Sequence, residues 1–199
     1  YIYIDCFKQT IAAPENLSVF LCDRHYGIGG DGVVLICPSD VADAKMRIFN
    51  IDGSEGEMSG TAIRCVAKYI YDNGIIPHKD TVTVETLSGI KTLKLKTIGG
   101  LVSKVQVDMG KAQLSPKSIP MNVEGDSVIN YKLNVSDKEY TVTALSMGNP
   151  HAVVFCSNTD HVDISEIGPL FENHEVFPER VNTEFVQVFD SKTIRVKTW

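Results

Sequence analysis

Ser59, Gly60 and Thr61 stand where a loop gives way to a helix, a position at which backbone groups can bind an anion. The upstream Asp52-Gly53 pair predicts a tight turn, because glycine accepts a positive φ and aspartate bonds its own backbone. The helix itself is predicted by apolar residues at helical spacing, namely Ile63, Val66, Ala67 and Ile70. The first N–H groups of a helix lack partners and lie at the positive end of its dipole. The sequence therefore predicts an anion site here, beside the ordinary interpretation that Ser59 caps the helix.

Three asparagines and a histidine form a second group of candidates. Asn50 ends a predicted strand, Asn149 and His151 flank Pro150, and Asn182 lies further along the second half. A side-chain amide both donates and accepts hydrogen bonds, so it can hold either charged group of a zwitterionic amino acid. An imidazolium favours ionisation of a neighbouring thiol. From the residues alone, turn formation by Asn50 and by Asn149-Pro150 stays open as the alternative.

Composition argues against several other kinds of site. The 199 residues include 19 basic and 25 acidic ones, and a net charge of −6 does not favour binding to nucleic acid or to an anionic membrane surface. Five scattered cysteines without C-x-x-C spacing indicate neither a disulfide framework nor a metal site, and they favour a reducing cytoplasm. The glycine-rich loop at 27–32 matches no nucleotide-binding motif, since no helix follows it. No apolar run is long enough to span a bilayer, and no signal-peptide pattern is present.

Two helices are predicted in the first half. The first, Glu15–Arg24, is amphipathic, with Leu17, Phe20 and Leu21 expected to face inward. The second, at about 60–73, has its apolar face widened by Cys65, so we expect it to be covered on most sides.

Strands dominate the rest of the chain, and their order repeats. They are predicted at 1–7, 33–37, 46–51, 81–86, 90–96, 101–109, 131–135, 140–145, 152–156, 185–189 and 193–199, with a helix near 164–171. A strand, a loop and a strand precede the helix at 60–73, and the same unit closes the chain. We therefore predict an internal duplication, in an α+β fold with two pseudo-symmetric lobes of mainly antiparallel sheet. The first lobe, residues 1–112, surrounds a central helix. The second lobe, residues 113–199, is expected to end before its own central helix. Both termini lie within strands, so a longer natural chain is expected.

Four segments, in order, resemble motifs of the diaminopimelate epimerase family. They are R-H-Y-G-I-G-G-D-G at 24–32, F-N-I-D-G-S-E-G-E-M-S-G-T-A-I-R-C at 49–65, S-M-G-N-P-H at 146–151 and F-P-E-R-V-N at 177–182. The resemblance implies the two-lobed fold of that family and inversion of LL- to meso-diaminopimelate by two bases, without pyridoxal phosphate, any other cofactor or a metal. It further implies a cytoplasmic homodimer that acts on a small amino-acid substrate in the biosynthesis of lysine and peptidoglycan precursors. Two thiols, one on each face of the α-carbon, would perform the chemistry.

The resemblance assigns roles to seven residues of this chain. Ser59 occupies the first catalytic cysteine position, Gly60 and Thr61 match a Gly-Asn pair, Asn50, Asn149 and Asn182 match substrate-contacting amides, and His151 matches a histidine that tunes a catalytic thiol. The departures matter equally. A serine hydroxyl has a pKa far too high for a free base near neutral pH, Thr61 replaces an asparagine, and the family's segment with the second catalytic cysteine lies outside the 199 residues. We expect this chain to be inactive or severely impaired.

Two alternatives to this assignment stay open. One is a related cofactor-independent isomerase of another amino or imino acid, such as a hydroxyproline epimerase, although the motifs at 146–151 and 177–182 favour diaminopimelate. The other is a non-catalytic relative that binds an amino acid or only a protein partner, which Ser59 and Thr61 support.

Overall fold

The computed structural model describes residues 1–199 and divides into two compact units, Tyr1–Met109 and Gly110–Trp199. The first unit contains β1 (Ile2–Asp5), α1 (Pro14–Cys22), β2 (Gly32–Cys37), β3 (Ala44–Asn50), β4 (Glu55–Gly56), α2 (Gly60–Asp72), β5 (Thr81–Thr86), β6 (Gly89–Ile98) and β7 (Leu101–Val107). The second contains β8 (Tyr131–Val135), β9 (Lys138–Ser146), β10 (Pro150–Phe155), α3 (Ile164–Glu172), β11 (Asn182–Val188) and β12 (Ile194–Thr198). The lobe boundary expected after residue 112 stays a prediction about the natural domain organisation.

The sheet of the first unit is mixed, with strand order β1-β2-β3-β5-β6-β7 and β4 paired to β3. Two neighbouring pairs, β1 with β2 and β3 with β5, are parallel. Parallel neighbours need a crossover, and helices provide it: α1 joins the first pair and α2 lies between the members of the second. The part of the sheet formed by β1, β2 and β3 is thus covered on both sides.

The apolar alternation of β2 shows how the two helices share this sheet. Val34 and Ile36 belong to the core that includes α2, whereas Val33 and Leu35 belong to the core beneath α1. A strand buried on both faces reads as a continuous apolar run, which explains the composition of β2.

The face that α1 buries differs from the one predicted. Phe20 is 61% exposed, so its expected inward position is wrong, while Ser18 is fully buried. The Ser18 hydroxyl reaches the carbonyl oxygens of Phe49 at 3.1 Å and Asn50 at 2.7 Å. These hydrogen bonds add to the apolar packing of Leu21 and Cys22 in holding this helix on the sheet. A polar residue satisfied in this way is invisible to an apolar-periodicity argument.

The α2 helix is also less enclosed than predicted. Ile63, Val66 and Ile70 are completely buried against the sheet, as their spacing indicates. Cys65, however, is exposed, and the expectation that it widens the buried face is wrong. The helix therefore has one buried face and one open face.

The sheet of the second unit has the order β12-β11-β10-β9-β8, with β10 and β11 parallel. The α3 helix covers one face of this sheet, where Phe171 packs edge-on against Phe185. On the opposite face Val186 pairs with Val196, and Val188 pairs with Ile194. That face exposes large apolar side chains, namely Phe155, Val188, Ile194 and Val196.

The two units share one module. In each, a parallel strand pair is joined by a helix, and a third strand pairs antiparallel with the second: β1-α1-β2-β3 in one unit and β10-α3-β11-β12 in the other. This repetition confirms the predicted α+β fold with two pseudo-symmetric lobes. None of the helices combines the length and hydrophobicity needed to cross a membrane.

Candidate functional site

The candidate residues gather at the same edge of the module in both units. In the first unit Asn50, the last residue of β3, pairs with Gly32 at the start of β2. In the second unit His151, near the start of β10, pairs with Asn182 at the start of β11. The duplicated fold thus presents polar side chains where its parallel strands begin, while the rest of these strands is mainly apolar.

A tight loop carries the chain from β3 towards α2. Gly53 has a φ of +85° and its N–H donates to the carbonyl of Asn50 at 3.0 Å, while the Asn50 N–H donates to the carbonyl of Ser54 at 2.8 Å. The Asn50 side chain also donates, through Nδ2, to the Ser54 hydroxyl at 3.0 Å. The turn predicted at Asp52-Gly53 is present. It places the Ser54 hydroxyl where it binds the Asn50 Nδ2 group, and the Asn50 amide oxygen stays available to a ligand.

Ser59 caps α2. Its Oγ accepts a hydrogen bond from the Ala62 N–H at 3.2 Å, and its carbonyl accepts the Ile63 N–H at 3.0 Å. The N–H groups of Gly60 and Thr61 precede these bonded ones and stay available as donors at the positive end of the helix dipole. The capping and anion-binding interpretations of Ser59 are therefore compatible, because the cap uses a different N–H.

Gly60 is not required by the fold of its own unit. A methyl group placed on Gly60 would lie 3.6 Å from the Met109 sulfur, which is an ordinary van der Waals contact. Its backbone has no positive φ either. The absence of a side chain at this position instead leaves room next to the unbonded N–H groups, as close approach of a ligand would require.

An ion pair braces the loop between β3 and α2. Arg47 on β3 donates from Nε and Nη2 to the two carboxylate oxygens of Glu55, at 2.7 and 2.9 Å. The hydrogen bonds from Arg47 lower the pKa of Glu55. Because Glu55 lies in β4, only a few residues before Ser59, this pair helps to position the cap.

Four polar side chains meet at the edge of the second unit. The Glu184 carboxylate lies 2.8 Å from His151 Nδ1, and the Asn149 amide oxygen lies 3.0 Å from His151 Nε2. Asn182 donates from Nδ2 to the carbonyl of Pro150 at 3.0 Å, which ties the starts of β10 and β11 together. Asn149 is placed by the turn before β10, in which Gly148 has a φ of +101°.

The structure therefore brings the predicted residues together in two sets. Asn50, Ser59, Gly60 and Thr61 lie in one strand–loop–helix segment of the first unit, and Asn149, His151 and Asn182 are joined through hydrogen bonds, directly or through the backbone, in the second. Their roles in binding and catalysis stay predictions.

Glu184 was missed by the sequence analysis. The one signal in the sequence is a carboxylate within the apolar run of β11. Its significance depends on strand register, which places it beside His151 on the neighbouring strand.

Comparisons with known proteins agree with this architecture. The family model described as diaminopimelate epimerase matches residues 1–115 and 143–199. A diaminopimelate epimerase of Methanococcus maripaludis strain S2 is 49% identical over 199 residues, which are 100% of this chain and 72% of that relative. A diaminopimelate epimerase of Acetivibrio thermocellus is 47% identical over 199 residues, again 100% of this chain, and 71% of that relative.

Among solved structures, a probable proline racemase from Agrobacterium radiobacter K84 superimposes with a TM-score of 0.70 at 20% identity. The match covers 92% of this chain and 58% of that one, so the chain spans less than two thirds of the racemase. At this identity the likeness concerns the fold alone. Together with the family-model match and the relatives sharing nearly half of their residues with it, this shows that the chain belongs to the diaminopimelate epimerase family.

Proposed function

We propose that the protein is a cofactor-independent epimerase that interconverts the LL and meso forms of diaminopimelate, with its turnover impaired by Ser59. The observation that carries this proposal is identity of 49% and 47% to two relatives named diaminopimelate epimerase over the whole of this chain. We further propose that it acts in the cytoplasm as a homodimer and serves lysine and peptidoglycan-precursor biosynthesis.

Recognition would use the amides and the helix N-terminus. Asn50, Asn149 and Asn182 each keep at least one amide group that is not used within the chain, and an amide can bind a carboxylate or an ammonium group. The N–H groups of Gly60 and Thr61 suit an α-carboxylate. When the α-proton leaves, negative charge spreads onto that carboxylate, so the same N–H groups would stabilise the carbanion-like state more than the ground state.

Inversion at the α-carbon needs one base and one acid on opposite faces. Ser59 stands at the position of one of them. Its hydroxyl accepts from the Ala62 N–H and does not ionise near neutral pH, so it cannot remove an α-proton as a thiolate would. We therefore propose that the Ser59 form binds substrate with little or no turnover, and that His151 tunes a catalytic thiol, as the family resemblance implies.

Ser59 also favours a second candidate function, a non-catalytic amino-acid-binding protein. A binding protein and an impaired epimerase should both bind the ligand, and they differ in turnover. The Ser59→Cys variant, which supplies a thiol, distinguishes the two hypotheses.

The binding proposal is tested by titration calorimetry with LL-diaminopimelate on the protein expressed from its complete gene. Asn149→Ala and Asn182→Ala should each weaken binding about tenfold, since a hydrogen bond to a charged group contributes roughly 1.5 kcal/mol. Asn122→Ala is the matched control, because this exposed asparagine of the same unit lies outside the cluster. Equal affinity in all four proteins would contradict the proposed site, and tighter binding of hydroxyproline than of diaminopimelate would favour a related isomerase.

A further inference from the structure

Glu184 combines burial with a single hydrogen-bonding partner. Its Oε1 lies 2.8 Å from His151 Nδ1, and the Glu184 side chain is 17% exposed. The other oxygen, Oε2, is buried and has no hydrogen-bond partner. A buried carboxylate normally has several donors, because burying its charge is costly. Glu184 is therefore directed at His151 alone.

The position of Glu184 also fixes the ring of His151. The two side chains lie on neighbouring parallel strands and on the same sheet face, since His151 pairs with Asn182 and Glu184 is two residues further along β11. The opposite ring nitrogen, Nε2, lies 3.0 Å from the amide oxygen of Asn149. Both ring nitrogens thus lie within hydrogen-bonding distance of an oxygen atom, Nδ1 of the Glu184 carboxylate and Nε2 of the Asn149 amide.

This arrangement decides which end of the Asn149 amide is available. An Asn149 oxygen that accepts from Nε2–H leaves the amide NH₂ group for another partner. If His151 were neutral and carried its proton on Nδ1, Nε2 would be an acceptor, and the amide would turn to donate its NH₂ group to the ring. The outward group would then be the oxygen, which binds ammonium rather than carboxylate.

We propose that Glu184 is a positioning residue: acting through His151, it holds Asn149 with its amide NH₂ directed to a carboxylate of the amino-acid ligand. The identity of the ligand rests on the proposed function. The coupling of Glu184 to Asn149 rests on the hydrogen bonds that both residues make with His151. A purely structural ion pair is the simpler explanation of the contact. It predicts a change in stability when Glu184 is altered, but no dependence of the binding effect on Asn149.

A double-mutant cycle on the protein expressed from its complete gene separates these explanations. LL-diaminopimelate affinity is measured for the parent, Glu184→Gln, Asn149→Ala and the double variant, with Glu139→Gln as the control. Glu139 is an exposed glutamate of the same unit, 3.3 Å from Lys132. We expect each single variant to bind about tenfold more weakly and the double variant to be no weaker than Asn149→Ala within about twofold, because Glu184 acts through Asn149. A loss of about a hundredfold in the double variant, or parent-like binding by Glu184→Gln, would overturn the proposal.

A second measurement, made without substrate, tests whether Glu184 controls the His151 ring. In ¹⁵N NMR spectra the His151 ring nitrogens of the parent and of Glu139→Gln should both show bound protons, whereas Glu184→Gln should show one protonated and one unprotonated nitrogen. A ring that is neutral in the parent, or unchanged in Glu184→Gln, would contradict the inference. If the parent fails to bind diaminopimelate, the proposed function falls, and the NMR result still decides whether Glu184 controls His151.

Discussion

The Ser59 hydroxyl has one role in the structure, as a helix cap, and the proposed function places the same residue at a catalytic position. The hydroxyl performs the first role, since it accepts the Ala62 N–H at 3.2 Å. It cannot perform the second as a base. The neighbouring glycine carries no structural requirement of this kind, which makes Gly60 the more selective probe of ligand binding.

Gly60→Ala should reduce ligand binding without reducing stability. The added methyl group meets only the Met109 side chain, with the sulfur at 3.6 Å and Cε at 3.8 Å, and alanine is favoured over glycine in helices. Thermal unfolding should therefore be unchanged or slightly shifted upward. The same methyl group would crowd an anion on the Gly60 and Thr61 N–H groups, and LL-diaminopimelate affinity measured by calorimetry should fall about tenfold. Unchanged affinity would show that the ligand does not use this helix end.

Among the strands and helices, local sequence patterns predicted those features that depend on neighbouring residues. Thr81–Thr86 alternates strictly and is β5 with the same bounds, and the spacing of Ile63, Val66 and Ile70 identified the buried side of α2. The orientation of α1 could not be obtained in this way, because Ser18 is held by carbonyl groups of a distant strand.

The same limit applies to the site. Motif resemblance predicted Asn149 and His151 as site residues, whereas the contact of Glu184 with His151 arises only once β11 is in register with β10. Register depends on tertiary pairing, so no local pattern in the sequence contains it.

The Arg47–Glu55 pair should make the first unit sensitive to acid. The pKa of Glu55 is lowered in the folded state, so its stabilising contribution is present above the unfolded pKa and is lost as pH falls through the folded one. Glu55→Gln should lower the free energy of unfolding by about 1 kcal/mol near neutral pH, and the difference should shrink at an acid pH below the usual carboxyl range. Urea titrations at both pH values check this, with the exposed Glu57→Gln as control. A deficit that persists in acid would mean that the ion pair is not its cause.

At the scale of the whole molecule, the two units differ in how their sheets are covered. Both faces of the β2–β3 region are packed against helices, whereas the face of β11 and β12 opposite α3 exposes Val188, Ile194 and Val196. Contiguous apolar surface of this kind favours association. A second copy of the chain is the partner that the proposed homodimer requires.

We therefore expect concentration-dependent association in sedimentation-velocity experiments on the 199-residue chain. Val196→Lys, which places a charge on this apolar face beside Val186, should shift the chain towards monomer. Ile98→Lys is the control, since Ile98 is also an exposed apolar residue but belongs to the other unit. A parent chain that sediments as a monomer at every concentration would contradict the expected association.

The most direct test of the account is α-proton exchange of LL-diaminopimelate in D₂O, followed by ¹H NMR. The protein expressed from its complete gene is compared with its Ser59→Cys variant. Because a thiolate can remove the α-proton and a serine hydroxyl cannot, we expect no exchange with the parent, and exchange with epimerisation for the Ser59→Cys variant. Exchange by the parent itself would contradict the proposed mechanism, since a base other than the residue at Ser59 would then perform the chemistry.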